Sequence, residues 1–166
     1  CWWKDRVLAW ERGEKIAPVT MDVAWTRRCQ ASCGFCFAQA QASEGTGEIT
    51  WPIAKQFLED AAEIGVKGVS LISDGESTMV PYYAESIQYG ASLGLKMGVG
   101  SNGILFTKDT LEKILPHLSQ FLFFLYILFN FIVFNFYLLK NINFLTSFCK
   151  SITTFSATRD FKLRHE

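Results

Sequence analysis

The chain has 166 residues, with sixteen basic and sixteen acidic side chains and a formal net charge of zero. That balance excludes the basic footprint of a nucleic-acid-binding surface. With 49% hydrophobic residues the chain can bury the core of one domain, and five cysteines, three of them clustered, do not make the disulfide framework of a secreted protein. They suit a reducing cytoplasm.

The composition is uneven. All twelve glycines lie at or before Gly103, and all four prolines at or before Pro116. Eleven of the fifteen phenylalanines fall at or after Phe121, and no acidic residue occurs between Glu112 and Asp160. Two compositions therefore meet near Ser119. The expected organisation is a lead-in over residues 1–18, a βα core over 19–118 and a hydrophobic, low-complexity tail over 119–166 that is not native to the fold.

The chain begins at Cys1 rather than at a methionine, with no charged-then-apolar leader, and reads as a cut end. The lead-in mixes Trp2, Trp3 and Trp10 with Lys4, Asp5, Arg6, Glu11 and Arg12, and predicts a short helix across the bottom of a domain. From Val19 to Thr26 the chain alternates. Val19, Met21, Val23 and Trp25 share one face and Thr20, Asp22, Ala24 and Thr26 the other, which predicts a strand.

The strand runs into Cys29-Gln30-Ala31-Ser32-Cys33-Gly34-Phe35-Cys36. Three thiols within eight residues, spaced x3 then x2, can hold three irons of a cubane and leave the fourth iron open. A self-sufficient ferredoxin run would bring a fourth cysteine nearby, and the next is Cys149. Two plainer readings stand beside this one: a zinc site, which wants a fourth ligand at short spacing, and three small core residues on one helix face.

Phe37 to Glu48 is small and polar and reads as loop. Thr50 is a candidate N-cap for a helix to about Ile64, with Ile53, Phe57, Ala61 and Ile64 as its apolar stripe and Gly65 as its stop. Gly68 to Ser73 is a short buried strand, followed by Asp74-Gly75-Glu76-Ser77. Pro81 opens a second helix ending near Gly94. Lys96 to Ser101 is a third strand, Asn102-Gly103 a turn, and Thr107 caps a third helix containing Leu111, Ile114 and Leu115.

Strand and helix alternating three times predicts an α/β fold of parallel βα units with right-handed crossovers. Chemistry in such folds gathers in the loops beyond the C-terminal strand ends. The cysteine loop, the Gly75-Glu76 turn and the Asn102-Gly103 turn follow successive strands and should open on one face.

Phe121 to Leu139 is a nineteen-residue apolar run broken only by Asn130 and Asn135, followed by Lys140. Its length approaches a membrane span. From Phe121 to Phe155 the limited alphabet, without glycine, alanine or acid, is also what translated AT-rich non-coding sequence yields, and a genuine strand is the third reading.

The C-x3-C-x2-C loop with an aromatic before its last cysteine, the turn at Asp74-Gly75-Glu76 and Ser101-Asn102-Gly103 together resemble, in order, the radical S-adenosylmethionine (radical SAM) superfamily. The resemblance covers about Val19 to Leu118. It implies a partial TIM-like barrel, with three of the usual six βα units legible and a fourth strand due near Leu118. It implies Cys29, Cys33 and Cys36 as ligands of a 4Fe-4S cluster whose open iron is chelated by SAM. One electron from the reduced cluster then cleaves SAM to methionine and a 5′-deoxyadenosyl radical. Phe35 would shield the cluster near the adenine, Gly75 would let the backbone approach SAM, and Glu76 would accept from the SAM amino group. Ser101 and Asn102 would touch SAM's methionine end. Where the family commonly has Gly-Gly-Glu, this chain has Asp74 at the first position.

The resemblance also implies an electron donor such as flavodoxin or ferredoxin, and a small-molecule or peptide substrate whose contacts come from later loops. Two other functions remain open on the sequence. One is an iron-sulfur electron carrier without SAM chemistry. The other is a membrane-anchored protein, if Phe121 to Leu139 is a span. Three βα units would leave the third strand as an open sheet edge, exposing one side of the cluster.

Overall fold

The computed structural model describes residues 3–31, 33, 36, 47–72, 74–127 and 130–136. A short helix α1 (Lys4–Glu11) precedes β1 (Thr20–Asp22), α2 (Trp51–Glu63), β2 (Gly68–Leu71), a 3-10 turn at Ser77–Met79, α3 (Tyr83–Ser92) and β3 (Lys96–Ser101). Then come α4 (Lys108–Ile114), a 3-10 turn at Leu115–His117, β4 (Leu118–Ile127) and β5 (Asn130–Phe136). The sheet order is β1-β2-β3-β4-β5. The first four strands are parallel, and β5 returns antiparallel to β4.

Parallel strands covered by crossover helices are buried along their length. Val69, Leu71, Met97 and Val99 are almost wholly buried. Against them lie Ala54, Leu58 and Ala61 of α2, Ile87 of α3, and Leu111 and Ile114 of α4. The buried stripe of α2 is thus turned from the expected one. Ile53 and Ile64 are 61% and 58% exposed, and only Ala61 of that set is buried. Positions 54, 58 and 61 are spaced i, i+4, i+7 on one helix face, and small Ala54 and Ala61 let the helix lie close.

The helix ends follow local chemistry. Thr107 Oγ1 accepts from Thr110 N at 3.1 Å and caps α4. Thr50 occupies the N-cap position of α2 but its side chain makes no capping bond. Gly65, with φ +89, closes α2. Its carbonyl accepts from Arg6 Nη2 at 2.5 Å, while Arg6 Nη1 reaches Ala17 O at 2.8 Å, so α1 is tied to both the lead-in to β1 and the end of α2.

Two expectations change. The strand predicted over Val19–Thr26 is only Thr20–Asp22, because after Val23 N donates to Ser70 O at 2.9 Å the chain leaves the sheet to bury Trp25. The third strand is not an edge. Leu118–Ile127 lies parallel to it, from Met97↔Leu118 to Ser101↔Phe123 with a register shift between Met97 and Gly98. Within the apolar run from Phe121, the described residues are strand, and no helix among the described residues is long and apolar enough to cross a membrane.

Candidate cofactor site

The loop after β1 is fixed before its first cysteine. Trp25 is 0% exposed. Its Nε1 donates to Ser86 Oγ at 3.1 Å, and its ring meets Phe57 edge-on with centroids 6.0 Å apart. Buried Thr26 then turns the backbone by accepting at Oγ1 from Arg28 N at 3.1 Å. Arg28 O accepts from Glu76 N at 2.8 Å, so the chain enters the cysteine segment already joined to the loop after β2.

Gly75 permits that junction. Its φ is +72, and a Cβ there would stand 2.8 Å or less from Thr26 O, Arg28 O and Arg27 C. Sequence reasoning assigned its open side to an approaching SAM, whereas here the backbone of residues 26–28 fills it. Asp74, which departs from the family's glycine, lies 3.6 Å from Arg27 Nε, and Arg28 pairs with Glu48. Both pairs are partly exposed, so they orient the loop more than they stabilise it.

Glu76 is 3% exposed and gathers four donors. Oε1 accepts from Thr78 N at 3.3 Å, Thr78 Oγ1 at 2.7 Å and Ser101 Oγ at 2.8 Å. Oε2 accepts from Asn102 N at 2.9 Å. Each carboxylate oxygen offers about two lone-pair positions. Oε1 is therefore saturated, and Oε2 retains capacity for one further donor. Ser101 Oγ also accepts from Gly103 N at 3.0 Å, so this buried hydroxyl bridges the two loops. Sequence reasoning did not single out Thr78 or Trp25. The signal for Thr78 was a hydroxyl two residues after a buried acid, the spacing of a local cap.

The loop after β3 also reaches the cysteines. Asn102 Oδ1 accepts from Ile104 N and from Gln30 Nε2, each at 3.1 Å. Its Nδ2 donates to Cys29 Sγ at 3.8 Å. The three thiols are free, with Cys29 exposed and Cys33 and Cys36 partly buried, and Cys36 N donates to Cys33 O at 2.9 Å in a tight turn. Cys33 is harder to ionise than an ordinary thiol, first because of its burial and then because of the charges of Cys29 and Cys36. Phe35 and Gly34 lie outside the described residues.

Among the described residues, no three or more His, Cys, Asp or Glu side chains stand close enough to hold a single metal ion. The three free thiols sit on one loop, with Cys36 N bonded to Cys33 O. The donor set is thiolate only, the set that iron-sulfur clusters take. Beneath the site, Tyr83 is buried, and among the described residues its Oη has no hydrogen-bond partner. Burial, and then the Glu76 carboxylate, push its ionisation well above 10.0.

No family model matches the chain. The AdoMet-dependent heme synthase of Methanosarcina barkeri is 34% identical over 94 residues, which are 55% of this chain and 27% of that protein. The structure of BtrN in complex with AdoMet and 2-DOIA matches with a TM-score of 0.55 at 15% identity, over 64% of this chain and 46% of that one. Streptococcus suis SuiB bound to S-adenosylmethionine matches with a TM-score of 0.53 at 23% identity, over 66% and 25%. The chain spans 27% of the length of that curated relative. The structural likenesses speak for the fold, and the sequence match is to an AdoMet-dependent enzyme. The resemblance to the radical SAM superfamily is thus met by similarity to an AdoMet-dependent enzyme over part of that enzyme's length.

Proposed function

We propose that this chain belongs to a radical SAM enzyme and carries the part that holds the 4Fe-4S cluster and the methionine end of SAM. Cys29, Cys33 and Cys36 are the iron ligands in this reading, as thiolates. The cluster, when bound, supplies the electron that cleaves the sulfonium carbon-sulfur bond of SAM. The chain's own residues bind and orient. Glu76 Oε2 takes the SAM ammonium into its remaining acceptor position, while Thr78, Ser101 and Asn102 N hold the carboxylate still. Gly75 and Trp25 fix the cysteine loop against that carboxylate.

The observation that carries this reading is the meeting of three loops at one sheet end, where Asn102 joins Cys29 Sγ and Glu76 at once. An electron carrier would not need a buried acid with an acceptor position left open beside its thiols. The electron comes from a small donor protein such as flavodoxin or ferredoxin. The substrate is a small molecule or a peptide. SuiB, for one, has been solved bound to a precursor peptide. Free thiols and an oxygen-sensitive cluster support a cytoplasmic setting.

Anaerobic reconstitution tests the reading. The chain should take up four irons, and SAM should alter the EPR signal of the reduced cluster. Glu76→Ala should weaken that response about tenfold to a hundredfold in SAM concentration, the equivalent of one charge-assisted hydrogen bond. A cluster that forms but ignores SAM would instead mark an electron carrier.

A further inference from the structure

The side-chain amide of Asn102 is used at both ends. Ile104 N–H can only donate, so the atom facing it is the amide oxygen, and Gln30 Nε2 donates to the same oxygen. That orientation leaves Nδ2, a donor only, directed at Cys29 Sγ. The Asx turn at Asn102 thus sets the direction of an N–H toward the first cysteine sulfur. The backbone N–H of the same residue is bound to the buried Glu76 carboxylate, so the donor is anchored from behind.

We infer that Asn102 is a redox-positioning residue, whose Nδ2–H···Sγ bond to Cys29 raises the reduction potential of the cluster. The inference rests on the proposed cluster reading and goes beyond it. Reduction adds one electron to the cluster and its thiolate ligands. A hydrogen bond to a ligating sulfur stabilises the added negative charge more than it stabilises the oxidised form, so it favours reduction. Cys29 is the most exposed of the three thiols, and solvent will compete for its sulfur. A donor held by a turn and a buried acid keeps the bond when a freely rotating side chain would lose it. The same contact links potential to the SAM pocket. A cofactor that shifts Glu76 will pull on Asn102 N and so on Nδ2.

The experiment is a mediated redox titration of the reconstituted chain, without SAM, followed by EPR and visible absorption, with iron and sulfide counted in each sample. Asn102→Ser keeps a short acceptor for Ile104 N but cannot reach the sulfur, and it adds no charge. Asn102→Asp keeps the turn acceptor and replaces the donor with a carboxylate. The serine variant should lose up to about tenfold in the equilibrium for one-electron reduction, a fall of up to about 59 mV. The aspartate variant should fall further. Equal potentials in wild type and serine variant, at equal iron content, would overturn the inference while leaving the cluster reading intact. Failure of both variants to hold iron would also overturn it, because Asn102 would then be only a structural part of the loop. A wild-type chain that takes up no iron would overturn the cluster reading, and this inference with it.

Discussion

Ser101 Oγ donates a 2.8 Å hydrogen bond to Glu76 Oε1, and both residues are almost wholly buried. The bond joins the end of β3 to the loop after β2, twenty-five positions earlier. It accounts for a carboxylate placed where no basic side chain neutralises it among the described residues. Several neutral donors converge on it, and its charge is spread across two loops.

Ser101→Ala removes that donor and leaves Gly103 N without its acceptor. Losing a hydrogen bond to a buried charge costs about 1.5–3 kcal/mol. The variant should unfold at lower denaturant with an unchanged slope, and its cluster should need more SAM for the same EPR change. Normal stability would show that water replaces the hydroxyl at no cost.

Gly75→Ala should be more damaging than its size suggests. The left-handed backbone costs an L-residue about 1–2 kcal/mol, and the new methyl meets fixed backbone atoms of residues 26–28 rather than a movable side chain. The loop before Cys29 must move away. The expected result is a folded chain that loads little iron, read by comparing circular dichroism with iron content. Wild-type iron content would show that the two loops separate freely.

Much of the site was legible before the fold was known, since the loop rule for parallel strands and the positions of Cys29, Glu76 and Asn102 after successive strands brought all three to one end. The partners were not. Whether Gly75 faces SAM or the backbone of Thr26 depends on a close approach between segments some fifty residues apart, for which local spacing has no signature. Asp74 looked like a departure from the family pattern, and its contact with Arg27 gives it a place beside the loop. The stripe on α2 was misjudged because Ile53 and Ile64 outrank Ala54 in hydrophobicity, while close packing on the sheet favours the smaller side chain. β4 begins at Leu118, where the resemblance put a fourth strand, although the change in composition at Ser119 gave the residues beyond it the look of a foreign tail.

Tyr83 predicts the behaviour of the fold in alkali. Its ionisation is pushed well above 10.0 in the folded chain by burial, and then by Glu76. Once unfolded it titrates near 10.0, so between that value and the raised one the folded state holds a proton the unfolded state has lost. Stability is therefore fully present below pH 10 and falls as the pH rises above it, at up to about 1.36 kcal/mol per pH unit for each such group. Tyr83→Phe should flatten the decline by about one proton. It should also stabilise the fold at neutral pH by about 1 kcal/mol or more, because it removes a buried hydroxyl that finds no partner among the described residues. Unfolding free energies measured from pH 7 to 11.5 in both chains check the two effects. An unchanged slope would mean that Tyr83 reaches water in the folded state.

The place of residues 119 onward is decided by where the chain is cut. β3 carries Ser101 at its end and Asn102 just beyond, and β4 pairs with it over Met97↔Leu118 to Ser101↔Phe123. A chain ending at His117 loses that ladder, and β3 becomes an exposed edge with unpaired backbone groups. A chain ending at Phe136 keeps both β4 and its antiparallel partner, paired from Phe121↔Phe136 to Ile127↔Asn130. Ladder hydrogen bonds contribute about 0.5–1.5 kcal/mol each, so removing a handful should cost a few kcal/mol. If the strands belong to the fold, the shorter chain should unfold earlier, aggregate through its new edge and respond more weakly to SAM, because the strand that positions Ser101 and Asn102 is loosened. If residues 119–166 are instead a foreign tail, the chain ending at His117 should be as stable as the longer one, more soluble, and unchanged in its SAM response. Denaturation midpoints, light scattering and SAM titrations of the two reconstituted chains separate these outcomes. The pairing of β4 along the whole site-bearing half of β3 leads us to expect the first.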